Sequence, residues 1–206
     1  MKGFLRKLLF TFKAFWFFPL LIPFGLTSEK TLIFEDVNQW VEALGWQKRA
    51  LLIQLLALLI EAQEFRNLYY FRLFKGNFPG RLLMYFTKII YPPCPYFFLD
   101  NSCNIGGGLF IQHGFSTIIM ADLGRNCWVN QQVTIGYKDQ TGRPQIGDNV
   151  RITAGAKVIG NIKIGDNVTI GANAVVVKNV PDNCVVVGVP GYIVNRNGQK
   201  VREELI

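Results

Sequence analysis

The sequence predicts a parallel β-helix of hexapeptide repeats preceded by an α-helical region, and three patterns lead to it. Aliphatic residues recur at a strict six-residue spacing: Ile105, Ile111, Thr117, Leu123, Val129 and Ile135, then Ile146, Ile152, Val158, Ile164, Ile170 and Val176, with Thr117 the one exception. Four residues beyond ten of these stand Leu109, Phe115, Ala121, Cys127, Val133, Val150, Ala156, Ile162, Val168 and Ala174, all apolar and mostly small. Half of the twelve positions directly after the aliphatic series are glycine: Gly106, Gly124, Gly136, Gly147, Gly165 and Gly171. No helix repeats every six residues and a plain strand repeats every two, whereas a prism-shaped coil places one flat strand and one corner in each six. The aliphatic side chains then fill the interior, and glycines take the corners, where positive φ is cheap. Three hexads make one coil, so the series gives about four coils. Spacing alone leaves the hand of the coil open.

The chain is divided here into a basic hydrophobic segment (1–26), an α-helical region (27–97), the coil (98–194) and a polar C-terminal tail (195–206). With 206 residues, half of them apolar, it is long enough for a domain with an N-terminal extension, and wholesale disorder is excluded. The net charge of +8 is most concentrated in residues 1–26, which hold Lys2, Arg6, Lys7 and Lys13 and no acid. Such charge serves nucleic acid, an anionic membrane or a phosphorylated substrate. The absence of zinc-finger, helix-turn-helix and RNA-motif patterns sets nucleic acid aside. Cys94, Cys103, Cys127 and Cys184 form no CxxC and no ligand spacing, so reduced thiols and no metal are expected, as suits a cytoplasmic protein.

Residues 1–26 begin like a signal peptide, but Lys13, Pro19 and Pro23 interrupt the apolar run and no small-residue cleavage site follows. The uncharged stretch 14–26 is thirteen residues, below the roughly twenty that span a bilayer. Its Phe15, Trp16, Phe17 and Phe18 beside basic residues suit peripheral contact with the inner face of a membrane, or an arm packed on neighbouring chains. From Ser28 to Leu73 the pattern is helical, with Thr27 and Ser28 as N-caps. The run ALLIQLLALLI (50–60) is apolar nearly all round and predicts a helix buried between others. In EFRNLYYFRL (64–73), Arg66 and Arg72 read as snorkelling arginines on an amphipathic helix. Pro and Gly between 76 and 95 mark the approach to the coil.

His113 is the single histidine and falls two residues past an inward aliphatic, at a corner of the prism. An imidazole is the side chain best suited to take a proton from an alcohol near neutral pH. The motifs around it are IGGGLFIQHG (105–114), VTIG (133–136), IGDNV (146–150), TAGAKVIGN (153–161), IGANAVV (170–176), VPDN (180–183) and VVGVPG (186–191). In their order they resemble the serine acetyltransferase branch of the hexapeptide-repeat acyltransferases, over about half the chain. The resemblance implies a left-handed coil, a homotrimer with sites in clefts between coils, and acetyl-coenzyme A as donor. It also implies His113 as general base, a backbone N–H stabilising the oxyanion, and a pantetheine arm passing Gly136, Ala154, Gly155 and Ala172.

Three departures from that branch bear on the acceptor. Phe98 stands where a carboxylate would orient the histidine, which leaves Asp100 as the candidate orienter. Gln112 replaces an acid, and Gly142-Arg143 replaces an Arg-His pair that grips the amino acid. Gln112 and Arg143 are therefore the candidate acceptor-binding residues. These changes point away from serine, towards a sugar hydroxyl of a surface polysaccharide or its precursor, as in the branch's polysaccharide-locus O-acetyltransferases. Serine O-acetylation and a non-catalytic trimeric scaffold are the alternatives.

Overall fold

The computed structural model describes residues 2–206; the side chains of residues 1–7, and with them the expected roles of Lys2, Arg6 and Lys7, lie outside the described residues. The chain forms two compact units, Met1–Cys94 and Pro95–Ile206.

The first unit is helical: α1 (Lys2–Phe17), a 3₁₀ turn (Phe18–Leu20), α2 (Leu21–Leu26), α3 (Lys30–Ala43), α4 (Leu51–Glu61), α5 (Gln63–Lys75) and α6 (Phe78–Ile90). Leu20, Phe24, Ile33, Val37, Trp40, Leu55, Leu58, Phe65, Leu68 and Leu73 form its core. Three expectations need correction. Lys13 does not end the apolar run, because the chain stays helical through it; Leu8–Leu26 is 19 residues long and apolar enough, by length and composition, to cross a membrane. Helix α4 is not enclosed, since Leu52 and Ile53 are half exposed while Leu55, Leu58 and Leu59 turn inward. Arg72 does not snorkel: it is fully buried and holds Asp36 through Nε at 2.8 Å and Nη2 at 3.1 Å. Arg66 is buried too, donating to the Pro92 carbonyl at 3.0 Å. Burial holds its pKa below the ordinary arginine value, against the raising influence of Tyr70 and Cys94.

The second unit is a left-handed parallel β-helix with three faces. The first carries β1 (Phe97–Leu99), β3 (Thr117–Ile119), β6 (Thr134–Gly136), β9 (Lys157–Ile159) and β12 (Val175–Val176). The second carries β4 (Asp122–Leu123), β7 (Gln145–Ile146) and β10 (Lys163–Ile164). The third carries β2 (Phe110–Gln112), β5 (Trp128–Asn130), β8 (Arg151–Ile152), β11 (Thr169–Ile170) and β13 (Cys184–Val187). All twelve residues of the six-residue series are buried, Thr117 included.

The glycines have a different role from the one expected. None of the six after the aliphatic series has positive φ; the left-handed positions are mostly taken by Asn126, Asn149, Asn167, Asn173 and Asn183. Five of the six glycines instead permit close stacking. A Cβ on Gly106 would lie 2.7 Å from the Gly124 carbonyl, and one on Gly124 would lie 2.6 Å from the Gly147 carbonyl carbon. Side chains then tie coil to coil: Asp148, Asp166 and Asp182 accept backbone N–H bonds at 2.6–2.9 Å, and Asn126, Asn149, Asn167 and Asn183 form an amide ladder.

Most of the polar segment 195–206 is strand. Strands β14 (Tyr192–Arg196) and β15 (Gln199–Glu204) form an antiparallel hairpin on β13, so the third face ends in a reversed pair. The first strand begins at Phe97, one residue before the expected boundary.

Candidate active site

His113 follows β2 at the edge where the third face turns into the first, and this turn differs from the others. Elsewhere a left-handed residue commonly stands directly before the inner small residue, as Asn126 does before Cys127 and Gln132 before Val133. Here the left-handed residues are His113 (φ +53°) and Ser116 (φ +54°). The displacement reverses Phe115, which was expected to point inward and is instead 49% exposed beside the imidazole turn. Thr117, the polar member of the inner series, bonds through Oγ1 to the Phe115 and Asn130 carbonyls at 3.4 and 3.3 Å, anchoring the distorted turn to the next coil.

The same edge carries the small residues of later coils. Gln132 N–H donates to the Phe115 carbonyl at 3.1 Å, Gly155 N–H to Gln131 at 3.0 Å, and Asn173 N–H to Ala154 at 2.9 Å. His113, Ala154, Gly155 and Ala172 therefore lie along one line, each coil stepping about 4.8 Å. Gly155 is demanded by the fold, with φ +75° and Asn173 where a Cβ would go. Gly136 is not: a Cβ there would meet nothing closer than Met120 at 3.6 Å. The small side chains of Ala154, Gly155 and Ala172 leave the backbone of this line partly or fully accessible.

Gln112 sits beside His113 with its carboxamide fixed. Its Oε1 accepts from Trp128 Nε1 and from Asn130 Nδ2, both at 3.1 Å, which leaves its NH₂ as the group open to an acceptor molecule. Trp128 is itself held edge-on by Phe110 at 4.6 Å and covered by the Arg151 guanidinium at 4.7 Å. Two residues not anticipated from the sequence adjoin this edge. Asn130 Oδ1 and Gln131 Oε1 are buried with no protein partner. Asn130 lies opposite Gln112 in register, and counting one coil of eighteen residues onward from Gln112 would have found it.

Asp100 and Arg143 belong to another edge, between the first and second faces, together with Gly136. The three-residue strand β1, about 10 Å long, separates Asp100 from the edge that bears His113. The Asp100 carboxylate accepts from Ser102 N–H at 2.6 Å, as a turn-forming aspartate does. Arg143 is engaged as well: Nη2 pairs with Asp122 at 2.7 Å and Nη1 donates to Ser102 Oγ at 2.7 Å. Within one chain, then, His113, Gln112, Ala154, Gly155 and Ala172 are brought together, whereas Asp100, Arg143 and Gly136 are not. Among the described residues, no group of three or more His, Cys, Asp or Glu side chains could hold a metal ion. The helical unit holds a cavity of about 1140 Å³ lined by Leu9, Phe10, Lys13, Trp46, Arg49 and Ile53, none of which has a place in this chemistry.

Comparison with known proteins agrees with this geometry. Residues 143–178 match the family model described as bacterial transferase hexapeptide (six repeats). Serine acetyltransferase of Staphylococcus aureus (strain Mu50 / ATCC 700699) is 51% identical over 108 residues, covering 50% of this chain and 51% of the relative. That of Staphylococcus epidermidis (strain ATCC 12228 / FDA PCI 1200) is 48% identical over 108 residues, with the same 50% and 51% coverage. The chain thus spans about half the length of the curated relatives it matches. Among solved structures, Neisseria gonorrhoeae serine acetyltransferase in complex with serine superposes with a TM-score of 0.63 at 29% identity, over 81% of this chain and 69% of that one. The serine acetyltransferase of Brucella abortus strain S19 gives 0.66 at 25% identity, over 82% and 69%. A serine acetyltransferase solved in complex with CoA, at 23% identity and TM-score 0.61 over 81% and 70%, shares the fold.

Proposed function

We propose that this chain, a hexapeptide-repeat protein of the serine acetyltransferase family, is an O-acetyltransferase that draws its acetyl group from acetyl-coenzyme A. The observation that carries the reading is the edge itself. The one imidazole of the chain is exposed at a distorted turn, in line with the small residues Ala154, Gly155 and Ala172. Bound there, acetyl-coenzyme A supplies an activated acyl group. His113 accepts the proton of the acceptor hydroxyl as its oxygen attacks the thioester carbonyl; the C–S bond breaks and the proton passes to the departing coenzyme A sulfur, so no acyl-enzyme forms. Gln112 donates its NH₂ to an acceptor oxygen, and a backbone N–H of the edge meets the developing negative charge. Because His113 and Gly136 lie towards different edges, a homotrimer supplies a complete site by apposing one edge of each kind. The same reading keeps the enzyme in the cytoplasm, where acetyl-coenzyme A is available.

Serine is the acceptor that the names of the relatives favour, ahead of the sugar hydroxyl expected from the sequence. The sugar keeps one specific observation in its support. A zwitterion wants a free cation and a free anion, yet the Arg143 guanidinium is spent on Asp122 and Ser102, and Gln112 turns a donor outward. The test is thiol release from acetyl-coenzyme A by the full chain, offered serine or a panel of sugar acceptors. His113→Ala should lower kcat about 10²–10⁴-fold without loss of thermal stability. Unchanged turnover in His113→Ala would remove the imidazole from the chemistry, and turnover with neither acceptor class would favour a scaffold.

A further inference from the structure

We propose that the helical unit docks on the surface of an anionic phospholipid bilayer, with α1–α2 and α6 lying together in the headgroup interface. The proposal is independent of which acceptor the coil serves.

Helix α6 carries a continuous apolar stripe that nothing in its unit covers. Phe78, Leu82, Tyr85, Phe86 and Ile89 recur every three or four residues along one face, with Phe78 73% and Ile89 81% exposed. The N-terminal helices expose a second row: Phe12, Phe15, Trp16, Phe18, Ile22 and Leu26, with Phe15 82% exposed. The two rows belong to one body. Helix α2 packs on α6, and Tyr91, directly after α6, donates its hydroxyl to the Trp16 carbonyl at 2.7 Å and stacks against Phe17 at 5.2 Å. A water-soluble surface seldom leaves so many large aromatics contiguous without a use.

Charge selects the occupant. No Asp or Glu occurs in residues 1–28 or 65–99, while Lys13 on α1 and Lys88 on α6 stand among the exposed rows and Arg81 folds back on Gly76 and Phe74. Glu29, beside Gly76, directly precedes α3, and Glu61, near Leu9 and Lys13, ends α4; a stripe of Phe, Trp and Ile whose own helices carry cations and no acid is complementary to an anionic headgroup layer.

Surface docking is favoured over spanning by what lies behind the rows. Leu20, Pro23 and Phe24 are buried within the unit, and the Tyr69 hydroxyl is bonded to the Leu20 carbonyl. Threading Leu8–Leu26 through a bilayer would strip out that packing. Helix α6, at 13 residues and about 20 Å, is too short to cross.

The experiment is co-sedimentation of the full chain with phosphatidylcholine vesicles, with and without phosphatidylglycerol. Mass in solution and coenzyme A binding are measured in parallel as checks on assembly and fold. The wild-type chain should pellet with the anionic vesicles. Phe86→Glu with Ile89→Glu, and separately Phe15→Glu with Ile22→Glu, should each cut partitioning about tenfold or more, with mass and coenzyme A binding unchanged. Wild-type chain left in the supernatant would overturn the proposal, as would variants that pellet like the parent. Variants that lower the mass without changing lipid partitioning would assign the face to a second copy of this chain. Resistance to alkaline carbonate extraction would mark a spanning segment and equally defeat surface docking.

Discussion

Replacing Gly124 by alanine and Gly136 by alanine is the same chemical change at equivalent places in the repeat, yet the structure predicts opposite outcomes. At Gly124 the new methyl would collide with Asp148 Oδ1 and lie 2.6 and 2.7 Å from the carbonyl carbon and oxygen of Gly147. Two of those neighbours are backbone, so relief requires prising one coil from the next. That weakens Gly124 N–H to the Ile146 carbonyl at 2.8 Å and Arg125 N–H to Asp148 at 2.6 Å. Overpacking costs about 1–3 kcal/mol, and a disturbed hydrogen bond to a charged group adds about 1.5–3 kcal/mol. Gly124→Ala should therefore destabilise the coil by about 3–5 kcal/mol. At Gly136 the methyl meets Met120 at an ordinary 3.6 Å, and φ there is not left-handed. Loss of glycine freedom in the unfolded chain stabilises by about 0.4–1 kcal/mol, so stability should hold or rise slightly. If the thioester arm passes Gly136, KM for acetyl-coenzyme A should rise about tenfold, the cost of about 1.4 kcal/mol of lost contact. Urea unfolding and initial rates measure both. A Gly124→Ala chain within 1 kcal/mol of the parent would refute the stacking argument.

Other outcomes follow from the same coordinates. Asp36→Ala strands the buried Arg72 guanidinium and should cost about 3–5 kcal/mol in urea unfolding; a loss below 1 kcal/mol would show the pair is not the keystone of α3 and α5. Arg143→Met should leave KM for the acceptor within about twofold, since its guanidinium already serves Asp122 and Ser102; a tenfold rise would restore it as a grip on the acceptor. Burial pushes the Cys127 thiol up to about 12 from 9.0, against a backbone hydrogen bond from Val150 that lowers it. Its neutral form is the one the fold favours, so this contribution to stability is complete below pH 9 and is lost as pH rises towards 12. Iodoacetamide at pH 8 should accordingly label Cys127 only after unfolding, and labelling of the native chain at the rate of a free cysteine would contradict the burial.

The interior of the coil was legible because a six-residue period specifies which side chains face inward, whatever their neighbours. What the glycines do was not, since a close approach between Gly106 and Gly124 depends on coil spacing rather than on local conformation. Counting along the repeat does place His113, Gln131, Ala154 and Ala172 on one edge. The same count puts Asp100 on another, and sequence proximity to His113 obscured this. Arg143 follows an insertion between β6 and β7, so only coordinates could reveal its bond to Asp122. Phe115 reads as interior by position; two left-handed residues around it, neither a glycine, turn it outward. In the helical unit, Lys13 interrupts the apolar run by charge, while helix continuity, which a single charge does not break, carries the run from Leu8 to Leu26. The partner of Arg72, thirty-six residues earlier, carried no local signal.

The reversed pair β14–β15 has a consequence for how the solenoid stops. A stack of parallel rungs offers at its last rung a row of open amides and carbonyls, an invitation to register another molecule and grow without limit. Here β13 is already satisfied from that side by a strand running the opposite way, and the outermost strand presents Lys200, Arg202, Glu203 and Glu204. On this face the addition of a further parallel rung is thereby blocked by a pair of different geometry. Removing residues 192–206 should convert a discrete particle into one prone to end-to-end filaments, visible as rising light scatter at a concentration where the intact chain remains clear.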